Sequence, residues 1–123
     1  MEKQKSILIV EDEVILSMNL KMQLEDEGYP VCGCFTTGEK AIEFVETTKP
    51  GVILMDISLA GKIDGIEAAE KILETSNIPI IFMTGYENKQ VDERIQKINP
   101  VAFLIKPVEI RDLKPVLESL FSY

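Results

Sequence analysis

The stretch Val52–Asp56, which reads VILMD, is an uninterrupted apolar run that ends on a carboxylate. A second run, Ile7–Val10, reads ILIV and is followed by two acids, Glu11 and Asp12. Short runs this rich in Val, Ile and Leu are typical of strands that are buried on both faces of a parallel sheet. Because each run stops at a charge, the two stretches predict buried strands whose ends form a polar site.

Five such runs are spaced along the chain, and amphipathic segments of helical period separate them. The other three predicted strands are Pro30–Phe35, Ile78–Met83 and Val101–Ile105. In the intervening segments, apolar residues recur three and four positions apart, which places them on one face of a helix. The five apolar stripes are formed by Leu16, Leu20 and Leu24; by Ala41, Ile42 and Val45; by Ile66, Ala69, Ile72 and Leu73; by Val91, Ile95 and Ile98; and by Leu113, Val116, Leu117 and Leu120.

The alternation of strand and helix predicts the α/β class with an open, doubly wound, parallel sheet. Right-handed crossovers and short loops leave few strand orders, and 2-1-3-4-5 is the common order for five strands. We therefore expect a flavodoxin-like sheet of that order with five helices. At 123 residues the chain is expected to be one domain, residues 1–123, with a single core.

Several residues predict where the helices begin and end. Gly28 follows the first apolar stripe and is expected to cap that helix at its C-terminus. Asp64, with Glu67 three residues later, is typical of a helix N-terminus, and Thr36 is expected to cap the second helix. Pro115 interrupts the last stripe, so the final helix is expected to start late or to kink.

Composition excludes several kinds of protein and of chemistry. The net charge of −8 disfavours binding to nucleic acid or to an anionic membrane surface, and neither a membrane-spanning run nor a signal peptide is visible, so we expect a cytoplasmic protein. With no histidine in the chain, Ser-His-Asp and Cys-His nucleophiles are excluded. Cys32 and Cys34 cannot form an ordinary four-ligand zinc site alone, and we expect them to be reduced strand residues.

The predicted strand order brings polar side chains to one edge of the sheet. Glu11 and Asp12 end the first strand and Asp56 ends the third, while Thr84 and Lys106 follow the two flanking strands. Three clustered carboxylates repel one another unless a cation compensates them, and Mg²⁺ prefers carboxylates with water and phosphate oxygens. A carboxylate also serves as a nucleophile in aspartyl-phosphate intermediates, and phosphoryl transfer needs mainly positioning and charge neutralisation. The alternative is that each acid only caps a strand or a helix.

With these residues in place, the whole chain resembles a response-regulator receiver domain of two-component signal transduction. The matching features are Glu11-Asp12 after the first strand, Asp56 within LMDISLAGKIDGIEAA, Thr84-Gly85 after IPIIFM, and Lys106-Pro107 after VAFLI. Each feature is weak alone, but four in order at strand ends are specific.

The resemblance implies a role for each site residue. Asp56 would be the phosphoacceptor that attacks the phosphohistidine of a histidine kinase or a histidine phosphotransfer protein. Asp12 and Asp56 would ligate Mg²⁺ (or Mn²⁺) together with the backbone carbonyl of Ser58, and Glu11 would act through a water molecule. Lys106 would pair with the phosphoryl oxygens.

The resemblance also implies a switch and an output. Thr84 would move to bond the phosphoryl group, and Phe103 would rotate inward behind it. The Lys106–Pro107 peptide bond would be cis. The signalling surface would be the fourth helix, fifth strand and fifth helix, roughly residues 88–123, which would contact an output domain or protein. We expect no output domain within residues 1–123. The resemblance implies a phosphoacceptor regulator rather than an enzyme, whose own activity would be limited to intrinsic autophosphatase activity.

Two departures and three alternatives accompany this interpretation. Glu11 stands where many receivers have Asp, and the loop from Ser58 to Gly65 is about one residue longer than the common pattern and lacks its proline. One alternative is that the chain is the receiver module of a hybrid kinase or a phosphorelay. A haloacid-dehalogenase-type phosphatase would need a second Asp at position 58, where this chain has Ser. A degenerate flavodoxin-like scaffold would not require Asp56, Thr84 and Lys106 together.

Overall fold

The computed structural model of the chain describes residues 5–85 and 93–122. Within them, strands and helices alternate in the order β1 Ile7–Val10, α1 Val14–Asp26, β2 Val31–Phe35, α2 Gly38–Val45, β3 Val52–Asp56, α3 Gly65–Leu73, β4 Ile80–Thr84, α4 Glu93–Ile98, β5 Ala102–Ile105 and α5 Ile110–Phe121. All the strand pairs are parallel, and the sheet has the order 2-1-3-4-5. The predicted fold class and strand order are confirmed; Val91, part of one predicted stripe, lies outside the described residues.

The core consists of two apolar layers, one on each face of the sheet. Alternate residues of each central strand point to opposite faces, so Leu8 and Ile9 of β1 belong to different layers. One layer packs under α2, α3 and α4, and the other under α1 and α5. Every residue of β1, β3 and β4 is buried, as their continuous hydrophobicity predicts.

The prediction of burial on both faces is wrong for β2 and β5. These strands form the two edges of the sheet, and all their residues keep partial or full exposure. The register between β1 and β2 also shifts between Ile7 and Leu8. Cys32 packs against the layer under α2, whereas Cys34 is exposed. An apolar run therefore predicts a strand but does not distinguish a central strand from an edge strand.

The structure confirms two of the three predicted helix caps. Gly28 has a φ of +91°, and its N–H donates to Glu25 O while that of Tyr29 donates to Leu24 O, a Schellman cap that confirms Gly28. Asp64 Oδ1 accepts from Glu67 N at 2.8 Å, which confirms the N-cap of α3.

The predicted N-cap of α2 is one residue too early. The cap is Thr37, whose Oγ1 accepts from Lys40 N at 3.3 Å, and not Thr36. Both residues are threonines, so composition gave no preference; an N-cap hydroxyl bonds the amide two or three residues ahead, which selects Thr37 for a helix that begins at Gly38.

The expected late start of the last helix is wrong, because α5 begins at Ile110 and contains Pro115. The Asp112 carboxylate accepts from Glu109 N at 3.0 Å and anchors the first turn. Leu113, Leu117 and Phe121 lie on one face and are buried against the sheet. This burial stabilises the helix even though Pro115 cannot donate a backbone hydrogen bond. Across the described ranges, none of the helices has the length and apolarity needed to span a bilayer.

Candidate metal centre

The register of the central strands brings the predicted acids together. Val10 of β1 pairs with Met55 of β3, so the next residues, Glu11 and Asp56, leave the sheet at the same level. Carboxylate oxygens of Glu11, Asp12 and Asp56 all lie within 4.8 Å of one another. The expectation that these acids meet at the carboxyl edge of the sheet is confirmed, and the cluster can hold a metal ion.

Burial raises the free-energy cost of negative charge in this cluster. Glu11 and Asp56 are each only 1% exposed, and Asp12 is half-buried. A buried carboxylate requires a positive partner or hydrogen-bond donors. Lys106 supplies the charge, because its Nζ lies 2.8 Å from Glu11 Oε1 and 2.8 Å from Asp56 Oδ2.

The charge on Lys106 is retained in this setting. Burial of the ammonium lowers its pKa, but hydrogen bonds and charge interactions with Asp56 and Glu11 outweigh burial, so the pKa of Lys106 is raised above 10.5. One ammonium therefore pairs with two carboxylates of the cluster, and Asp12 adds a third carboxylate beside them. The excess of negative charge favours a divalent cation beside the lysine.

Backbone N–H groups orient the two buried carboxylates. Ser58 N donates to Asp56 Oδ1 at 3.0 Å, and Glu13 N donates to Glu11 Oε2 at 3.0 Å. Each carboxylate thus uses one oxygen for Lys106 and the other for a backbone donor. The Glu13 carboxylate lies 3.9 Å from Lys106 Nζ and is 64% exposed, so it adds little to the site. No feature of the sequence predicts that the Glu13 N–H donates to Glu11.

The two flanking strands place the remaining predicted residues. Thr84 ends β4 and is fully buried, and its carbonyl accepts from Lys106 N at 2.7 Å. Phe103 pairs with Phe82 in the neighbouring strand and is partly buried against the layer under α2, α3 and α4. The Lys106–Pro107 peptide bond is cis, the isomer that the resemblance implies.

Gly65 is a structural requirement of the site that sequence reasoning missed. A Cβ atom on Gly65 would overlap the carbonyl oxygen of Asp56 and would lie 2.9 Å from Ile57 Cα. Gly65 N also donates to Ile57 O at 2.8 Å. The start of α3 therefore packs directly on the backbone of Asp56. A glycine at the first helical position, where the helix itself has no need of one, is the signal that would have indicated this contact.

The first turn of α2 sets the path of the loop after Asp56, which the sequence left open. Thr37 forms a parallel bridge with Ala60, and Lys62 N donates to Glu39 Oε2 at 3.1 Å. Gly61 has a φ of +103°, a conformation that favours glycine. The longer loop thus folds against α2.

The sequence and structure match known proteins along almost the whole chain. The family described as response regulator receiver domain matches residues 7–118. The transcriptional regulatory protein PdtaR of Mycobacterium tuberculosis is 35% identical over 118 residues, which cover 96% of this chain and 57% of that protein. The phyllosphere-induced regulator PhyR of Methylorubrum extorquens is 32% identical over 117 residues, which cover 94% and 43%.

Solved structures give the same result. The signal receiver domain of a modulated diguanylate cyclase from Desulfovibrio desulfuricans superimposes with a TM-score of 0.87 at 36% identity, covering 96% of this chain and 94% of that one. The chain spans about half the length of the curated relatives described above. The family match over residues 7–118, the identities and the shared fold show that the chain belongs to the response-regulator receiver domains.

Proposed function

We propose that the chain is a phosphoacceptor regulator that takes a phosphoryl group onto Asp56 from a phosphohistidine of a histidine kinase or a histidine phosphotransfer protein. The observation that carries the proposal is the cluster of Glu11, Asp12 and Asp56, in which Lys106 bridges the two buried carboxylates, Glu11 and Asp56. A structural cap would not need three clustered carboxylates from two strands, two of them paired with one ammonium. A site that must gain and then neutralise a phosphoryl group does need them.

The contacts of Asp56 support its proposed role as the nucleophile. Its carboxylate is held from both sides, by Ser58 N–H at one oxygen and by Lys106 at the other. In the transfer, an Asp56 oxygen bonds to phosphorus as the bond from phosphorus to the partner's imidazole nitrogen breaks. The imidazole leaves with the electron pair and takes a proton from solvent. Lys106 stays protonated and pairs with the phosphoryl oxygens.

The donor set fits Mg²⁺, and Mn²⁺ is accommodated by the same oxygen ligands. Asp12 and Asp56 would bind the ion directly, with the Ser58 carbonyl as a further protein ligand and Glu11 acting through water. The ion supplies charge neutralisation at the transferred phosphoryl group. The longer Glu11 side chain is compatible with this arrangement, because its carboxylate lies in the same cluster as the two aspartates.

The switch we propose uses Thr84 and Phe103. Phosphorylation adds about two negative charges and three acceptor oxygens, which favour a Thr84 hydroxyl bonded to the phosphoryl group. Phe103 would then move inward beside β4. The changed surface would be α4, β5 and α5, which would contact an output domain or protein; of the expected range 88–123, residues 88–92 and 123 lie outside the described residues.

The other functions considered have less support. A phosphatase of the haloacid-dehalogenase type requires a carboxylate at position 58, where Ser58 offers its backbone N–H to Asp56. A degenerate scaffold would not maintain a desolvated Lys106 between two buried acids, because such a site is costly to build. A receiver within a hybrid kinase or a phosphorelay would use the same chemistry at Asp56. The two settings would differ in the partner that exchanges the phosphoryl group.

Intact-protein mass spectrometry after incubation with a small phosphodonor, with and without Mg²⁺, tests the proposal. We expect wild type to gain one phosphoryl group only with Mg²⁺, and Asp56→Asn to gain none. Asp26→Asn, an exposed carboxylate at the end of α1, is the matched control and should be phosphorylated like wild type. Phosphorylation of Asp56→Asn to the wild-type level would contradict the assignment, and calorimetry shows separately whether Mg²⁺ binds.

A further inference from the structure

A small cavity lies between α1 and the end of β2, next to the acidic cluster. Its volume is about 80 Å³, and Ser17 and Met18 from α1 line it together with Cys34 and Thr36. Glu11 forms part of the same wall. The cavity therefore joins a site residue to a helix residue for which the proposed function provides no role.

Ser17 is the unusual member of this wall. Its side chain is only 4% exposed, and its hydroxyl has no hydrogen-bond partner among the described residues. The Ser17 N–H is already used in the helix, where it donates to Glu13 O at 3.0 Å. Buried hydroxyls in folded proteins nearly always have a partner, because an unsatisfied one costs free energy. A hydrogen-bond partner other than the described protein atoms is therefore expected for the Ser17 hydroxyl.

Glu11 has acceptor capacity left to provide it. Its Oε1 pairs with Lys106 Nζ and its Oε2 accepts from Glu13 N. A carboxylate has about four lone-pair sites, so two contacts leave room for further donors. Both Glu11 and Ser17 line the same cavity, and no side chain of the described residues fills it.

We propose that ordered water in this cavity joins the Ser17 hydroxyl to the Glu11 carboxylate, and that Ser17 is a positioning residue for the metal centre. To hold one ordered water, a cavity needs roughly 10–15 Å³ of water-accessible volume and two to four polar partners. The cavity is large enough for more than one water, and Ser17, Glu11 and Thr36 supply polar groups. The effect on metal binding rests on the proposed function, whereas the water bridge does not.

The alternative is that the Ser17 hydroxyl is simply unsatisfied, and the two cases predict opposite results for Ser17→Ala. If the hydroxyl is unsatisfied, its removal raises the melting temperature and leaves Mg²⁺ affinity unchanged. If it holds Glu11 through water, its removal weakens Mg²⁺ binding by about tenfold, the lower end of the effect of losing an outer-shell partner. Alanine is also a better helix former than serine, so folding is not at risk.

The test combines calorimetric titration of Mg²⁺ into wild type, Ser17→Ala and Ser17→Thr with a crystal structure of the metal-free wild-type protein. Ser17→Thr keeps the hydroxyl and should bind Mg²⁺ more tightly than Ser17→Ala. Ser6→Ala is the matched control, since Ser6 is also buried but lies at the opposite end of β1, and its Mg²⁺ affinity should equal that of wild type.

A water within hydrogen-bond distance of both Ser17 Oγ and the Glu11 carboxylate supports the bridge, and its absence from a well-ordered cavity overturns it. Unchanged Mg²⁺ affinity in Ser17→Ala overturns the positioning role. Wild-type protein that binds no Mg²⁺ overturns the proposed function and the positioning role together. In that case the crystal structure alone tests whether the water bridge exists.

Discussion

Lys106 and Asp56 are fifty residues apart in the sequence, yet Lys106 Nζ lies 2.8 Å from Asp56 Oδ2 in a largely buried contact. The lysine side chain is 18% exposed and the aspartate 1%. The same ammonium reaches Glu11 at 2.8 Å, so one charge connects the ends of β1, β3 and β5. Removing one member of a desolvated pair leaves the others unpaired, and this has measurable consequences.

We predict that Lys106→Met lowers the free energy of unfolding by about 3 kcal/mol in the absence of divalent cations, near the lower end of the cost of breaking a buried pair. Mg²⁺ should restore part of the loss, because a bound cation replaces the missing charge. Urea unfolding in EDTA and in Mg²⁺ measures both effects.

Lys114→Met is the matched control for this variant. Lys114 pairs with Glu27 at 3.1 Å on the surface, where the side chains are 43% and 39% exposed. We expect a loss much smaller than that of Lys106→Met, and one that Mg²⁺ does not change. Equal losses in the two variants would contradict the special role of Lys106.

The raised pKa of Lys106 predicts how its contribution depends on pH. A lysine whose pKa is higher in the folded than in the unfolded protein stabilises the fold fully below the unfolded value, 10.5, and this contribution is lost as pH rises through the folded value. The stability difference between wild type and Lys106→Met should therefore be constant near neutral pH and become smaller at strongly alkaline pH. Taking the difference cancels the titration of tyrosines and other lysines. A difference that does not change up to pH about 12 would show that the Lys106 charge is not stabilising.

Gly65 provides a test of the packing behind the phosphoacceptor. A Cβ at this position would overlap the Asp56 carbonyl and lie 2.8 Å from its carbonyl carbon, and both atoms are backbone that cannot rotate away. We predict that Gly65→Ala costs about 1–3 kcal/mol, as overpacking does, and weakens Mg²⁺ binding because it displaces Asp56. Chemical denaturation and calorimetry measure the two effects.

Gly85→Ala is the control for Gly65→Ala, because a Cβ at Gly85 meets no atom of the described part of the chain within 4 Å. It should change stability by much less, although it lies at the same edge of the sheet. If Gly65→Ala were as stable as wild type, α3 would not pack on Asp56 as the structure has it.

The carboxylate cluster was predictable from the sequence because the residues at the ends of the apolar runs can be identified directly. Once strands 1 and 3 are neighbours in a parallel sheet, Glu11 and Asp56 must meet, and the pairing of Val10 with Met55 confirms it. By contrast, apolar composition does not distinguish edge from centre, so the exposure of β2 and β5 was missed. The contact of Gly65 with Asp56 had only one signal, a glycine at the first position of a helix. The bond from Lys62 N to Glu39 depends on how the loop packs on α2, which no local pattern encodes.

The two cysteines of β2 are separated by a single residue, Gly33, but differ in environment, and their reactivity should show it. Cys34 is exposed, whereas Cys32 packs against the core and its thiol donates to Ile7 O at 3.5 Å. Burial raises the pKa of Cys32, so less of the reactive thiolate is present at a given pH. We predict that a thiol reagent at pH about 8 labels Cys34 first and Cys32 several-fold more slowly. Cys34→Ser and Cys32→Ser assign the two phases by mass spectrometry, and in urea both thiols should react at similar rates. Faster labelling of Cys32 in the native protein would mean that the register shift in β2 does not direct this side chain to the core.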